Sequence, residues 1–333
     1  MLPICNPVPP GRLTRASHVV LAGRDLGASR AFYCDALGLV LSHETPDALY
    51  LRGLEEACHH SIVIERTTDS PSVHCIGMRI EDEAQFDPLV SFLRKKELSF
   101  EFLDRPFQGR TLRFRDPVGT MVEVAASMDV VPRAMQDFNV FKGGFPQRFD
   151  HYQLATHDVA AAASFWSELG FRIAEYTAAE GDRDIWGVWM ERKGNTHDIV
   201  FTNGAGPQLH HFAFTVPDAS AIVHACDVTS SLGYDDIIDR GPGRHGLSNA
   251  LFVYFRDPDG HRIEFFVTHY QFIDAETPPI RWDLSNPKRA QLWGMPAGRR
   301  WFFEASGFTG TPTQAPLLHA EPLTLERYLE VQA

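Results

Sequence analysis

Residues 18–39, HVVLAGRDLGASRAFYCDALGL, and residues 151–171, HYQLATHDVAAAASFWSELGF, are two copies of one pattern. Each opens on a histidine (His18, His151), alternates apolar positions, and reaches an aspartate seven residues on (Asp25, Asp158). The alternation predicts a half-buried strand. The aspartate stands where a helix N-cap belongs, because its carboxylate accepts the backbone N–H groups that a first turn leaves free. Phe32-Tyr33 and Phe165-Trp166 follow at matching offsets, and Leu-Gly closes each helix at Gly38 and Gly170 as a C-cap.

The duplication extends outward from these segments. FRDPVGTMVE (114–123) matches FRDPDGHRIE (255–264), each a strand, a DP-x-G turn and a second strand with glutamate at the same place. Between these landmarks, CIGMRI from Cys75 matches HFAFTV from His211. Each half therefore contains two strand–helix–strands units, and the chain has four. Short alternating strands joined by tight turns predict an α+β fold with mixed sheets, each covered by helices on one face. The expected boundaries are an N-terminal domain over 1–135, a C-terminal catalytic domain over 145–272, and an extension over 273–333 that packs near the active site. The extension is too irregular for a fifth unit and is expected to end loosely after Gly307.

Composition narrows the function. A formal charge of −12 offers no basic face for nucleic acid. No apolar run approaches the ~18 residues of a membrane span, and MLPICNPVPPGRLTR lacks the apolar core of a secretory signal. The five cysteines are scattered, without C-x-x-C spacing, as expected of a reducing cytoplasm.

The two halves then act as a control on each other. At its three strand landmarks the second half has His151, His211 and Glu264, whereas the first has His18, Cys75 and Glu123. Two imidazoles and one carboxylate form the facial triad that holds non-haem Fe(II) and leaves coordination sites open. A lone strand histidine is more often a satisfied core residue than a ligand. A glutamate between Ile263 and Phe265 is harder to explain that way, because desolvating an unpaired carboxylate costs several kcal/mol. Arg113 stands where the second half has Tyr254, and its charge would repel a metal. The metal is thus expected in the second half. His210 competes with His211 for the second ligand position. The match with His151 and the expected opposite orientation of neighbouring strand residues favour His211.

At this point the chain resembles the vicinal oxygen chelate superfamily, also called glyoxalase/bleomycin-resistance-like. The stretch from Gly243 to Glu264, G-R-H-x7-V-Y-x2-D-P-D-G-x3-E, matches the signature of its type I extradiol catechol dioxygenases. YLRGLEEACHH (50–60), RGPGRHG (240–246) and WGMPAGRRWF (293–302) are similar to segments of the homoprotocatechuate and catechol 2,3-dioxygenases. The resemblance implies four βαβββ modules in two domains, with Fe(II), or Mn(II), held by His151, His211 and Glu264. It implies O2 as co-substrate and a small aromatic diol as substrate, opened to a hydroxymuconic semialdehyde-type product. His197 falls at the family's acid–base histidine, and His245 and Tyr254 at its donors to substrate oxygens. Trp189 falls at a pocket wall, Gln153 replaces an asparagine, and Arg240 falls at an arginine that meets a substrate carboxylate. Ala290, beside Arg289, stands where a partner arginine belongs. With Trp189 and Leu247, that change points to a roomier, less charged pocket. A homo-oligomer, dimer or tetramer, is also implied. Rival readings are a hydroquinone dioxygenase, a glyoxalase-like isomerase and a non-catalytic small-molecule binding protein.

Overall fold

Alternation along the strands builds both sheets. The computed structural model describes residues 2–182, 184–319 and 324–332. In the first half the strands are β1 (Leu13–Gly23), β2 (Val40–Thr45), β3 (Ala48–Arg52), β4 (Ile62–Arg66), β5 (Ser72–Ile80), β6 (Phe100–Leu103), β7 (Thr111–Arg115) and β8 (Met121–Ala125). They lie in the order β2-β3-β4-β1-β5-β8-β7-β6. The second half has β9 (Arg148–Thr156), β10 (Arg172–Ala178), β11 (Ile185–Glu191), β12 (Ile199–Asn203), β13 (Gln208–Thr215), β14 (Ile238–Arg244), β15 (Leu251–Arg256) and β16 (Arg262–Val267). These lie in the order β14-β15-β16-β13-β9-β12-β11-β10, with β17 (Ile280–Asp283) added beyond β10 and β18 (Ser306–Gly307) paired to β13. The fold is α+β, and each of the four units is a strand, a helix and three strands. In each unit the first strand pairs in parallel with the last: β1 with β4, β5 with β8, β9 with β12 and β13 with β16.

Each strand divides its side chains between two environments. Val19, Leu21, Leu49, Leu51, Ile62 and Ile64 enter the main core, while Val20, Tyr50, Val63 and Cys75 cluster separately. In the second half Tyr152, Leu154, Phe212, Phe214, Ile263 and Phe265 fill the core. The alternate positions, His151, Gln153, His211 and Glu264, are turned to a cavity on the opposite side.

The helix starts are as the sequence predicts. The Asp25 carboxylate accepts from Gly27 and Ala28 N–H at the head of α1 (Leu26–Arg30), and Asp158 from Ala161 N–H in the corresponding helix Val159–Glu168. The first-half copy has one more residue between Tyr33 and Gly38 than the second has between Trp166 and Gly170. That residue is absorbed by a π turn, Ala31–Ala36, in which Leu37 N–H donates to the Phe32 carbonyl at 3.0 Å. Both closing glycines are left-handed, Gly38 at φ 91° and Gly170 at φ 88°.

The extension differs from the expected loose end. Past Gly307, Phe308 is buried and bridges Val73 of the first half, and Thr309 N–H donates to the Val73 carbonyl at 2.9 Å. Gln314 and Gly206 exchange backbone bonds, and Leu317 N–H reaches the His157 carbonyl at 2.9 Å. Backbone groups left unpaired by strands and turns in both halves are the reason, since they recruit a passing segment.

The two halves are joined by a reciprocal contact. Tyr33 of the first half donates to Asp257 of the DPDG turn at 2.9 Å, and Trp166 of the second donates to Asp116 of the DPVG turn at 3.2 Å. Each aspartate also closes its own turn, Asp257 accepting from His261 N–H and Asp116 from Thr120 N–H, both at 2.8 Å. Tyr33→Phe leaves a fully buried carboxylate short of one donor, so unfolding free energy should fall by about 1–3 kcal/mol. Urea unfolding at constant metal load measures it; an unchanged midpoint would remove this bond from the account of how the halves hold together.

Candidate active site

The site is built around a strand position too small to obstruct it. Ala213 on β13 lies opposite His151 on β9 and opposite Glu264 on β16. Its methyl group leaves room for both flanking side chains, and His211 sits two residues earlier on β13. The His151 Nε2 and His211 Nε2 atoms lie 3.1 and 3.2 Å from Glu264 Oε2. Donor atoms held at right angles about 2.1 Å from one divalent cation stand about 3 Å apart, so this triad fits such an ion.

Neighbouring groups aim both imidazoles. His151 Nδ1–H donates to Asp150 at 2.9 Å, and Asp150 is held in turn by Asn195 at 3.1 Å. A carbonyl can only accept, so His210 donates from Nε2 to the Trp301 carbonyl at 2.8 Å. His210 Nδ1 is then the acceptor for His211 Nδ1–H, also at 2.8 Å. With each Nδ1–H so engaged, both candidate ligands would turn a bare Nε2 to a bound cation, and it is these same Nε2 atoms that hydrogen-bond Glu264 when protonated. The expected opposite orientation of His210 and His211 is corrected here. A register shift between Leu209 and His211 brings the two rings side by side, and His210 orients its neighbour.

The electrostatics match this arrangement. Burial would raise Glu264, but hydrogen bonds from His151 and His211 hold it well below the usual carboxylate range. Burial pulls His211 down to about 4 despite Glu264 beside it. Burial also disfavours charge on His151, yet its bonds to Asp150 and Glu264 raise it above the ordinary histidine value.

A cavity of about 580 Å³, including its open mouth, lies against the triad. Every site residue expected from the sequence lines it: His151, Gln153, Trp189, His197, His211, Arg240, His245, Leu247, Tyr254, Glu264 and Arg289. His197 is buried, its ring 4.1 Å from that of His151, and Thr196 Oγ1 lies 2.8 Å from its Nδ1. Burial holds His197 neutral, well below its ordinary value. His245 Nδ1–H donates to the Ala290 carbonyl at 2.6 Å, which leaves Nε2 to accept from the Tyr254 hydroxyl at 3.0 Å. Burial, with Glu264 nearby, raises the Tyr254 phenol well above its ordinary value, so it stays protonated. Gln153 reaches Thr202 at 3.4 Å, and Trp189 packs with Val200 and Leu247.

The expectation of a less charged wall is not met. Arg240 and Arg289 are both buried and line the cavity, and neither has a carboxylate within ion-pair distance among the described residues. Arg240 lies between Phe252 and Trp301, 4.9 and 4.6 Å from the ring centres, and donates to the Ala290 carbonyl at 3.0 Å. Asp239, its sequence neighbour, pairs instead with Arg262 and Arg256. Arg289 stacks 5.0 Å from Trp186 and donates from Nε to the Leu284 carbonyl at 3.2 Å. Burial lowers both guanidiniums to about 10.

Sequence reading missed Trp186, Trp301, Phe302, Ser248 and His269, which also line the cavity. His269 follows Glu264 by five residues, just past the ligand strand, and that spacing was its available signal. Its Nδ1 lies 3.2 Å from Thr196 Oγ1, and with His151 and His197 it forms a second cluster of possible donors.

The first half replaces a metal with guanidinium groups. Glu123 is bound by Arg105 at 2.5 and 3.1 Å and by Arg113 at 2.7 and 3.0 Å. The buried His18 Nε2 has no partner, and burial lowers this histidine to about 4. Among the described residues, both groups of three potential ligands lie in the second half.

Comparisons with known proteins show the family. The chain is 27% identical over 302 residues to a manganese-dependent 2,3-dihydroxybiphenyl 1,2-dioxygenase of Geobacillus genomosp. 3, covering 85% of this chain and 94% of the relative. It is 28% identical over 282 residues to a metapyrocatechase of Pseudomonas sp. (strain CF600), covering 80% and 90%. The structure of homoprotocatechuate 2,3-dioxygenase from Arthrobacter globiformis superposes with a TM-score of 0.88 at 33% identity, covering 94% of this chain and 98% of that one. An extradiol ring-cleaving dioxygenase from B. fuscum superposes at 0.90 with 31% identity, covering 96% and 91%. Residues 15–124 and 148–265 each match one family profile, and the chain belongs to the glyoxalase/bleomycin resistance protein/dioxygenase superfamily.

Proposed function

We propose that the chain is an extradiol ring-cleavage dioxygenase that inserts both atoms of O2 into a catechol. The observation that carries this reading is one cavity in which a His151–His211–Glu264 triad faces His197, Tyr254 and His245. Fe(II) is the proposed metal, with Mn(II) the alternative. When bound, such a cation would make the diol more acidic and would bring it and O2 together. His151, His211 and Glu264 would hold the cation.

The chain's own residues would do the rest. His197, neutral and buried beside His151, can take a proton from the incoming diol and return it to the departing oxygen. Tyr254 stays protonated; its one proton rests on His245 Nε2 and would turn to a substrate oxygen when the diol binds. Trp189, Leu247 and Trp301 exclude water and press the ring flat. Arg240 and Arg289 favour a catechol carrying a carboxylate, because two buried cations without a counter-charge gain most from an anion. Residues 145–272 form the catalytic unit on this reading, and residues 1–135 act as a scaffold.

The five unpaired cysteines support a cytoplasmic setting, and no helix among the described residues is long and apolar enough to cross a membrane. Val130, Met135, Phe138 and Val140 of the connecting segment are exposed, which supports a homo-oligomer, a dimer or tetramer.

Iron-loaded protein given 3,4-dihydroxyphenylacetate or 3-methylcatechol should take up O2 and form a yellow ring-opened product, faster at low concentration with the acid. Arg289→Ala should raise KM for the acid about tenfold or more and leave the neutral catechol little changed. Equal losses on both substrates would withdraw the carboxylate from the proposal. His197→Phe should lower kcat by about 10²-fold or more with metal content intact. Glu264→Gln should lower metal content itself, and a fully loaded Gln variant would contradict the ligand assignment.

A further inference from the structure

Glu175 is a buried carboxylate that the proposed chemistry does not use. It lies on β10, is fully buried, and has no Lys, Arg or His within ion-pair distance among the described residues. Three donors satisfy it, each at 2.6 Å: Ser248 N–H and the Tyr270 hydroxyl on Oε1, and Trp282 Nε1–H on Oε2. A buried carboxylate costs so much to desolvate that it persists only where its partners are all in place.

Those partners belong to three segments that carry the cavity wall. Ser248 has φ 55° and is followed by Asn249 at φ 58°, two left-handed residues without glycine's freedom. The Glu175 bond pins that strained turn, which presents Leu247 and Ser248 to the cavity two and three residues after His245. Tyr270 adjoins His269. Trp282 packs on the Trp189–Val200–Leu247 cluster and against Gly246, where a Cβ would come within 2.7 Å of the indole. The same glycine's N–H donates to the Arg289 carbonyl at 3.2 Å, tying in the loop that carries Arg289 and Ala290.

We propose that Glu175 is a positioning residue for substrate: it locks the segments bearing His245, His269 and Arg289 into one wall without touching the catechol. The inference rests on the extradiol reading of the cavity. It concerns substrate placement and leaves the triad alone.

The test is a double-mutant cycle. In Glu175→Gln the amide can keep Ser248 and Tyr270 on its oxygen, but its NH2 then faces Trp282 Nε1–H, donor against donor. KM should rise about tenfold with kcat changed less than about threefold, and metal content should equal wild type. Binding of 3,4-dihydroxyphenylacetate under nitrogen, read by tryptophan fluorescence, should weaken in parallel. In a Trp282→Phe background the opposing donor is gone, so adding Glu175→Gln should change KM and binding little. Tyr270→Phe, which removes one bond and keeps two, should give a smaller KM rise. The inference is overturned if Glu175→Gln lowers only the melting temperature, or if its KM effect persists in full beside Trp282→Phe. A loaded wild-type chain that binds no catechol would instead sink the reading of the site, and this inference with it.

Discussion

A single carboxylate, Glu264, is buried between two imidazoles, and the second half of the chain is arranged to make that tolerable. Its Oε2 lies 3.1 and 3.2 Å from the two Nε2 atoms, in surroundings that otherwise hold Ile263, Phe265 and Phe266. A divalent cation among the three donors compensates the charge more fully than imidazole hydrogen bonds do. The need for bare nitrogens explains the layer behind the triad. Asp150 takes the proton side of His151, and the His210–Trp301 carbonyl relay takes that of His211. The fold supplies the spacing, since parallel β13–β16 and antiparallel β13–β9 place His151 and Glu264, the two flanking candidate ligands, opposite Ala213.

The first half shows what the same scaffold does without the ion. Its glutamate occupies the same place, opposite Gly77, and two guanidiniums bind it directly. Charge compensation is therefore met in both halves, once by arginine and once by a triad able to take a metal. That difference also explains why duplication survives in the packing. Tyr33 and Trp166 each reach the turn aspartate of the opposite half, so neither half completes its hydrogen bonds alone.

Much of this was legible in the sequence, for a physical reason. Strand alternation assigns faces, and a repeated unit shows which inward position departs from the scaffold, so His151, His211 and Glu264 stood out against His18, Cys75 and Glu123. What stayed hidden depends on geometry that alternation does not carry. The bulge beside His211 cannot be seen in a string of letters, so His210 read as a competitor. Arg289 seemed displaced because Ala290 held the expected position, yet the turn at 286–290 delivers its guanidinium to the cavity. The end of the extension past Gly307 looked loose because its order comes from partners in other segments, Val73, Gly206 and His157. Glu175 gave no signal at all, since its three donors are 73, 95 and 107 residues away.

Anomalous diffraction at the iron edge, from crystals of iron-loaded protein, tests the central claim most directly. One strong peak per chain is expected, about 2.1 Å from His151 Nε2, His211 Nε2 and the Glu264 carboxylate. A peak among His151, His197 and His269, or beside Glu123 in the first half, would contradict it.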